Sequence, residues 1–280
     1  MNLTVWLIVI LSAFLHAWWN LATKQVKGDL GIICLGMGLA ALVAAPFGLF
    51  GIAHSTLVAS AFQYLLIRGF LQTAYFLTLA YAYRSGDLSF IYPIARGTGV
   101  AVAALLAAFF LREQLSPLGI AGISAVVLGT LSVAGHPSRN HLMTALQLAV
   151  LTGITVGLMS INDKLSTQVI SLEVYIFLMH LLCFLLLLPY VLVHHGPQFR
   201  DALHRHLPAS TIVGVGSMLS YFLILEAFRF GKVSYVAPVR ELAVVMGAGM
   251  GVLVLKEDLT PRKALGIAAI ALGAGLIKMA

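Results

Sequence analysis

The sequence predicts an all-α integral membrane protein with ten transmembrane helices, arranged as two inverted five-helix repeats. Three observations predict it. Of 280 residues, 60% are hydrophobic and only 10% charged, whereas a soluble domain carries about 25% charged residues, so lipid must solvate much of the surface. Ten apolar runs of helix-spanning length follow one another with short polar joints. The stretch from Ala82 to Thr130 is also nearly repeated from Ala227 to Ala274: AYRSGDLSFIYPIAR against AFRFGKVSYVAPVR, then LREQLSPLGIAGISAVVLGT against LKEDLTPRKALGIAAIALGA.

The first span, about residues 3–22, lacks a preceding Lys or Arg and runs into His16-Ala-Trp-Trp-Asn20 rather than a small-residue cleavage site, which predicts a retained helix. Its Ser12, His16, Trp19, Asn20 and Thr23 share one helical face. A polar face is costly against lipid, so it is expected to turn inward. Span 2 covers about 30–53. Span 3, about 61–83, has a second inward stripe in Tyr64, Arg68, Gln72 and Tyr75, although Arg68 is near enough to the span end to snorkel.

Span 4, about 88–111, places Arg96 eight residues inside, roughly 12 Å along a helix. Pro93 just before it is a candidate hinge, because proline removes a backbone donor and bends or interrupts a helix. Span 5, about 117–134, brings Gly122 and Gly129 for close helix contact. Span 6, about 142–162, repeats the polar stripe weakly in Thr152, Thr155, Met159 and Asn162.

Span 7, about 172–194, carries Glu173 and His180, too few ligands for a metal site. The longest joint follows, about 195–208, and its His194, His195, His204 and His206 read as a solvated loop. Span 8, about 209–228, offers Gly214, Ser217 and Tyr221. Span 9, about 233–255, holds the second candidate hinge, Pro238, then Arg240 and Glu241, with Gly247 and Gly251 for packing. Span 10, about 262–279, is glycine-rich.

Aligning the copies places Arg84, Gly86, Ser89 and Pro93 over Arg229, Gly231, Ser234 and Pro238. After a one-residue slip, Arg96, Glu113, Gly122 and Gly129 fall over Arg240, Glu257, Gly266 and Gly273. Each copy then holds five spans, residues 1–137 and 138–280, and an odd number forces the second to enter from the opposite side. Inverted repeats in an apolar chain are a sign of secondary transporters, since two packings open to opposite sides can be nearly equal in energy. Symmetry fails after the arginine, where Gly97 stands opposite Glu241. Neighbours on a helix point about 100° apart, so Glu241 is expected to meet a partner other than Arg240, with Arg96 the symmetry-related candidate.

The candidate substrate-binding residues are therefore His16, Trp19, Asn20, Gln72, Tyr75, Arg96, Tyr221, Arg240 and Glu241. An arginine can bind a substrate carboxylate, Glu241 can take an ammonium group or a coupling proton, and the aromatic rings suit an organic solute with an apolar part. The net charge of +7 comes mostly from Lys and Arg in joints and span ends, with no dense basic run, so membrane flanks explain it better than a nucleic-acid partner. Cys34 and Cys183 sit alone in apolar spans and offer neither a disulfide framework nor metal ligands. No phosphate-binding G-x-x-x-x-G-K-[ST] motif, cofactor site or clustered catalytic carboxylates appear, so an enzyme is not expected. A membrane-embedded enzyme and a carrier of phosphorylated or nucleotide-linked sugars, which paired arginines would suit, stay as alternatives.

The pattern A-[YF]-R-x-G-x-[LV]-S-x-[IV]-x-P-[IV], followed by an arginine and then by [LV]-x-[RK]-E-x-L-[ST]-P, resembles the EamA family of the drug/metabolite transporter superfamily. The resemblance covers both copies. It implies ten helices in two inverted units and secondary transport of small metabolites, often amino-acid export across the bacterial inner membrane, with YddG-type exporters as the nearest functional analogy. It also implies that both termini are cytoplasmic, whereas the bias of Lys and Arg toward the joints after odd-numbered spans points the other way. Monomer and homodimer are both open, as are proton coupling and downhill movement.

Overall fold

A computed structural model of the chain describes residues 1–26, 29–54, 59–85, 88–134, 142–255 and 259–280. Eleven helices and no strand occur among them. They are α1 (Leu3–Gln25), α2 (Leu30–His54), α3 (Ala59–Ser85), α4 (Leu88–Phe110), α5 (Pro117–Ser132), α6 (Leu142–Ser166), α7 (Leu172–Arg205), α8 (Leu207–Phe230), α9 (Val233–Val239), α10 (Leu242–Leu255) and α11 (Pro261–Met279). Seven of these, α1 to α4 and α6 to α8, are each long and apolar enough to cross a membrane. With α5, α11 and the pair α9–α10, which together fill one predicted span, they account for the ten expected crossings. The protein is an all-α, multi-pass membrane protein.

Helix ends follow local chemistry where the sequence supplies it. Ser116 and Thr260 are equivalent in the repeat, and both cap helices that begin with proline. Their side chains accept from the backbone N–H of Gly119 and Lys263, respectively.

Three expectations change. The joint 195–208 is not a loop: α7 continues through a kink at His195 (φ −137°, ψ 23°) to Arg205. Pro197 lies just beyond, where a missing N–H and a fixed ring angle favour a bend over a straight helix. His206 contacts Asp201 at 3.3 Å rather than the other histidines. The two candidate hinges also differ, because α4 runs unbroken past Pro93 whereas the chain after Pro238 leaves the helix at Arg240 and Glu241. Gly247 is not a close-packing point, since a Cβ there would meet only Ala17, at an ordinary 4.0 Å. The boundary near residue 137, together with Lys27, Gly86, Arg139, Lys256 and Glu257, lies outside the described residues.

Packing runs largely between the first and second halves of the sequence. Helix α2 lies on α7, α1 on α8, α3 on α6, α4 on α6, α10 on α1, and α5 on α11. The last pair crosses closely, as do α2 and α8, where a Cβ on Gly214 would come within 2.0 Å of the Gly36 carbonyl oxygen. A Cβ on Gly122 would come within 2.7 Å of the Gly273 carbonyl, and one on Gly129 within 2.7 Å of the Gly266 carbonyl. Only glycine lets the backbones approach this closely. The amino terminus donates to the Lys278 carbonyl (3.2 Å), so both ends of the chain lie on one side of the bundle.

On that side the helix ends are clamped. Glu113, between α4 and α5, accepts from the backbone N–H groups of Val233 (2.8 Å) and Ser234 (2.9 Å) and from the Ser234 hydroxyl (2.5 Å). This carboxylate caps α9 from another element. Lys164 donates to the carbonyls of Phe228 and Gly231, and Lys232 donates to that of Gln114. At the opposite end, α3 and α7 meet through the exposed contacts Tyr81–Tyr190 (2.7 Å) and Arg84–His195 (3.1 Å).

Candidate functional site

A central cavity of about 100 Å³, measured as the space open to water centres, is lined from α1, α2, α3, α4, α6, α7, α8 and the α9–α10 break. It is large enough to admit water or a small solute. The lining includes His16, Trp19, Gln72, Tyr75, Arg96, Tyr221, Arg240 and Glu241, eight of the nine residues that the sequence singles out for binding. Asn20 is the exception. Its amide donates to the His16 carbonyl (2.7 Å), a turn back along α1, which ties it to its own backbone.

The break between α9 and α10 places two charged side chains in the cavity wall. Glu241 is 1% exposed. Both its oxygens face Arg96 of α4, through Nε–H to Oε2 at 3.2 Å and a second, shorter contact from Nη2 to Oε1. This fork-to-fork pairing joins the two halves of the sequence. At the matching position of the other copy, a Cβ on Gly97 would fall 2.8 Å from the tip of the Leu131 side chain, which would have to shift to admit a larger residue.

Arg240 has a different environment. Its Nη2 donates to His16 Nδ1 (3.1 Å) and its guanidinium lies 5.2 Å from the Tyr221 ring centre, while its Nε is buried with no partner. Trp19 meets the same His16 ring edge-on, with centroids 5.0 Å apart, and its indole Nε1 is likewise buried and unpartnered.

A second ion pair flanks the cavity and overturns one expectation. Arg68 does not snorkel. At 1% exposure it donates through Nε to Asp163 Oδ1 (2.9 Å), and its Nη1 reaches Gln72. Asp163, near the C-terminal end of α6, is fully buried behind Arg68. It also accepts from Tyr175 (2.6 Å) and from Tyr221 in a short contact. Arg68 lies 4.9 Å from the Tyr221 ring, so this tyrosine contacts both Arg68 and Arg240. An aspartate inside an apolar helix was the available signal, because an unpaired charge there is expensive.

Some polar groups hold helices together, as expected of serine and threonine. Ser12 and Ser220 each donate to the other's carbonyl, at 2.7 and 3.0 Å, and join α1 to α8. Thr152 of α6 donates to Thr78 of α3 at 2.9 Å. His180 lines the cavity, with Nδ1 2.8 Å from the Ile176 carbonyl. No group of three or more metal-ligating side chains occurs among the described residues.

Comparisons with known proteins agree with this architecture. Residues 143–279 match the EamA-like transporter family. A solved structure titled only "Crystal structure of protein" superposes with a TM-score of 0.82 at 16% identity, covering 100% of this chain and 98% of that one, a likeness of fold. No curated protein matches the sequence. The second half of this multi-pass helical bundle, residues 143–279, belongs to the EamA-like transporter family, one of the drug/metabolite transporter superfamily.

Proposed function

We propose that the chain is a secondary transporter that exports amino acids or similar small amphipathic metabolites across a bacterial inner membrane. Alternating access would occur between inverted halves, residues 1–137 and 138–280. The observation that carries this reading is the central cavity, lined by both halves and crossed by the Arg96–Glu241 pair at the helix break. Discontinuous helices near mid-membrane are a recurring way to bind solutes in secondary transporters.

The packing supports inversion. At an offset of 144 residues Gly122 corresponds to Gly266 and Gly129 to Gly273, and each meets the other's counterpart in the α5–α11 crossing. A two-fold relation between the halves produces such a reciprocal contact. The α1–α8 and α3–α6 pairings are related in the same way. With the termini in the cytoplasm, as the family resemblance implies, the Glu113 and Lys164 clamps close the cytoplasmic side in this conformation.

Carriage of phosphorylated sugars is less well supported. A dianion favours more than one available cation, and two of the three cavity arginines already hold carboxylates. Uptake of labelled solutes into vesicles of known orientation, run on a panel of amino acids, organic acids and phosphate esters, tests the reading. Saturable movement of amino acids or similar metabolites supports it. Movement of phosphate esters alone, or of none of the panel, sinks it.

A further inference from the structure

We infer that the cavity selects small amphipathic monocarboxylates over zwitterions and amines, with the carboxylate seated against Arg240 and Trp19. This rests on the reading of the cavity as a solute site, and among the solutes proposed there it favours small amphipathic carboxylates over zwitterionic amino acids.

Hydrogen-bond supply in the cavity is one-sided. Arg240 Nε and Trp19 Nε1 are buried donors without partners among the described residues, and their side chains meet the same His16 ring. A guanidinium has no lone pair, so His16 Nδ1 accepts from Arg240 and the ring proton sits on Nε2, a third donor in the cluster. Helix α10 begins two residues after Arg240, and its first turn adds partial positive charge at the same point. Unpaired buried donors are unfavourable, and a carboxylate would satisfy them with charge-assisted bonds.

Acceptors are committed elsewhere. Both oxygens of Glu241 face Arg96, and the oxygens of Asp163 face Arg68, Tyr175 and Tyr221. Three arginines and one carboxylate form the charged lining, with Asp163 behind it. An incoming ammonium group therefore meets net positive charge and no carboxylate oxygen without an existing partner. The remaining wall, including Met37, Phe76, Val100 and Val156, suits an aliphatic or aromatic body.

The test is calorimetric binding to the full-length chain in lipid nanodiscs, using a matched series: 4-methylpentanoate as the anion, leucine as the zwitterion and 3-methylbutylamine as the cation. Wild-type protein should bind 4-methylpentanoate at least about tenfold more tightly than leucine and should not bind the amine. Arg240→Gln should erase this ranking. Trp19→Phe, which keeps an aromatic ring and deletes the donor, should weaken the anion severalfold and supplies the check if the arginine variant fails to fold. Leucine or amine binding as tight as the anion, no binding by any of the three, or an unchanged ranking in Trp19→Phe would overturn the inference. Vesicle flux separates it from the transport reading. Anion-selective binding without flux defeats transport alone, and flux that favours amines or zwitterions defeats the anion site alone.

Discussion

Arg240 and Glu241 are adjacent in the chain but occupy opposite situations, and this difference is testable residue by residue. Glu241 neutralises a buried arginine, so Glu241→Ala leaves Arg96 charged and unpaired. Thermal unfolding should report a loss of about 3–5 kcal/mol. Arg240 has no carboxylate partner among the described residues, so Arg240→Gln should leave the unfolding midpoint close to wild type while transport falls at least tenfold. Asp163→Asn should behave like the glutamate variant, because Arg68 and two tyrosine hydroxyls converge on that carboxylate. Legibility in the sequence followed depth. Arg96, Arg240, Glu241 and His16 stood out because each lies well inside an apolar run. Arg68 and Asp163 lie nearer span ends, where a long side chain can reach water, and nothing along the chain shows that two such groups neutralise each other across helices. Asn20 shares the His16 face by periodicity, but its amide is within reach of a carbonyl one turn back, and local bonding wins.

At the scale of elements, hydrophobic run length located the helices, seven of which are long and apolar enough to cross a membrane, because a helix must satisfy its own backbone in lipid. Breaks were harder to read. Pro93 and Pro238 occupy matching places in the repeat, with one residue more between Pro93 and its arginine, yet only the second interrupts its helix. There the chain turns at Arg240, and Glu241 reaches the guanidinium of Arg96. Gly97 packs on Leu131 in the other copy, and α4 stays continuous. The kink at His195 escaped detection because polar residues after an apolar run read equally as a loop or as a helix emerging from the membrane. The α5–α11 crossing gives a direct packing test. Gly129→Val places carbon where the Gly266 carbonyl lies, and denaturation should show a loss of about 1–3 kcal/mol, the usual range for overpacking a tight contact.

For the molecule as a whole, the two ends of the bundle are closed by unequal means. Glu113 and Lys164 bind backbone groups on the side of the termini, whereas exposed tyrosine and arginine–histidine contacts span α3 and α7 at the other end. In a background lacking Cys34 and Cys183, a cysteine at Ser217 in the cavity wall should react with a membrane-impermeant thiol reagent from the side opposite the termini. Glu113→Gln should raise its reactivity from the terminal side. Labelling that ignores Glu113 would remove this clamp from the account of access. The repeat made two related halves visible in the sequence, but the cavity chemistry belongs to positions where the halves differ, and pairing across them exists only after folding. The most direct test of the central claim is counterflow of a labelled small carboxylate in proteoliposomes of fixed orientation, comparing wild type with Arg240→Gln of matched thermal stability. The account predicts saturable, trans-stimulated flux in wild type and at least a tenfold loss in the variant. Equal flux in both proteins, or none in wild type, would contradict it.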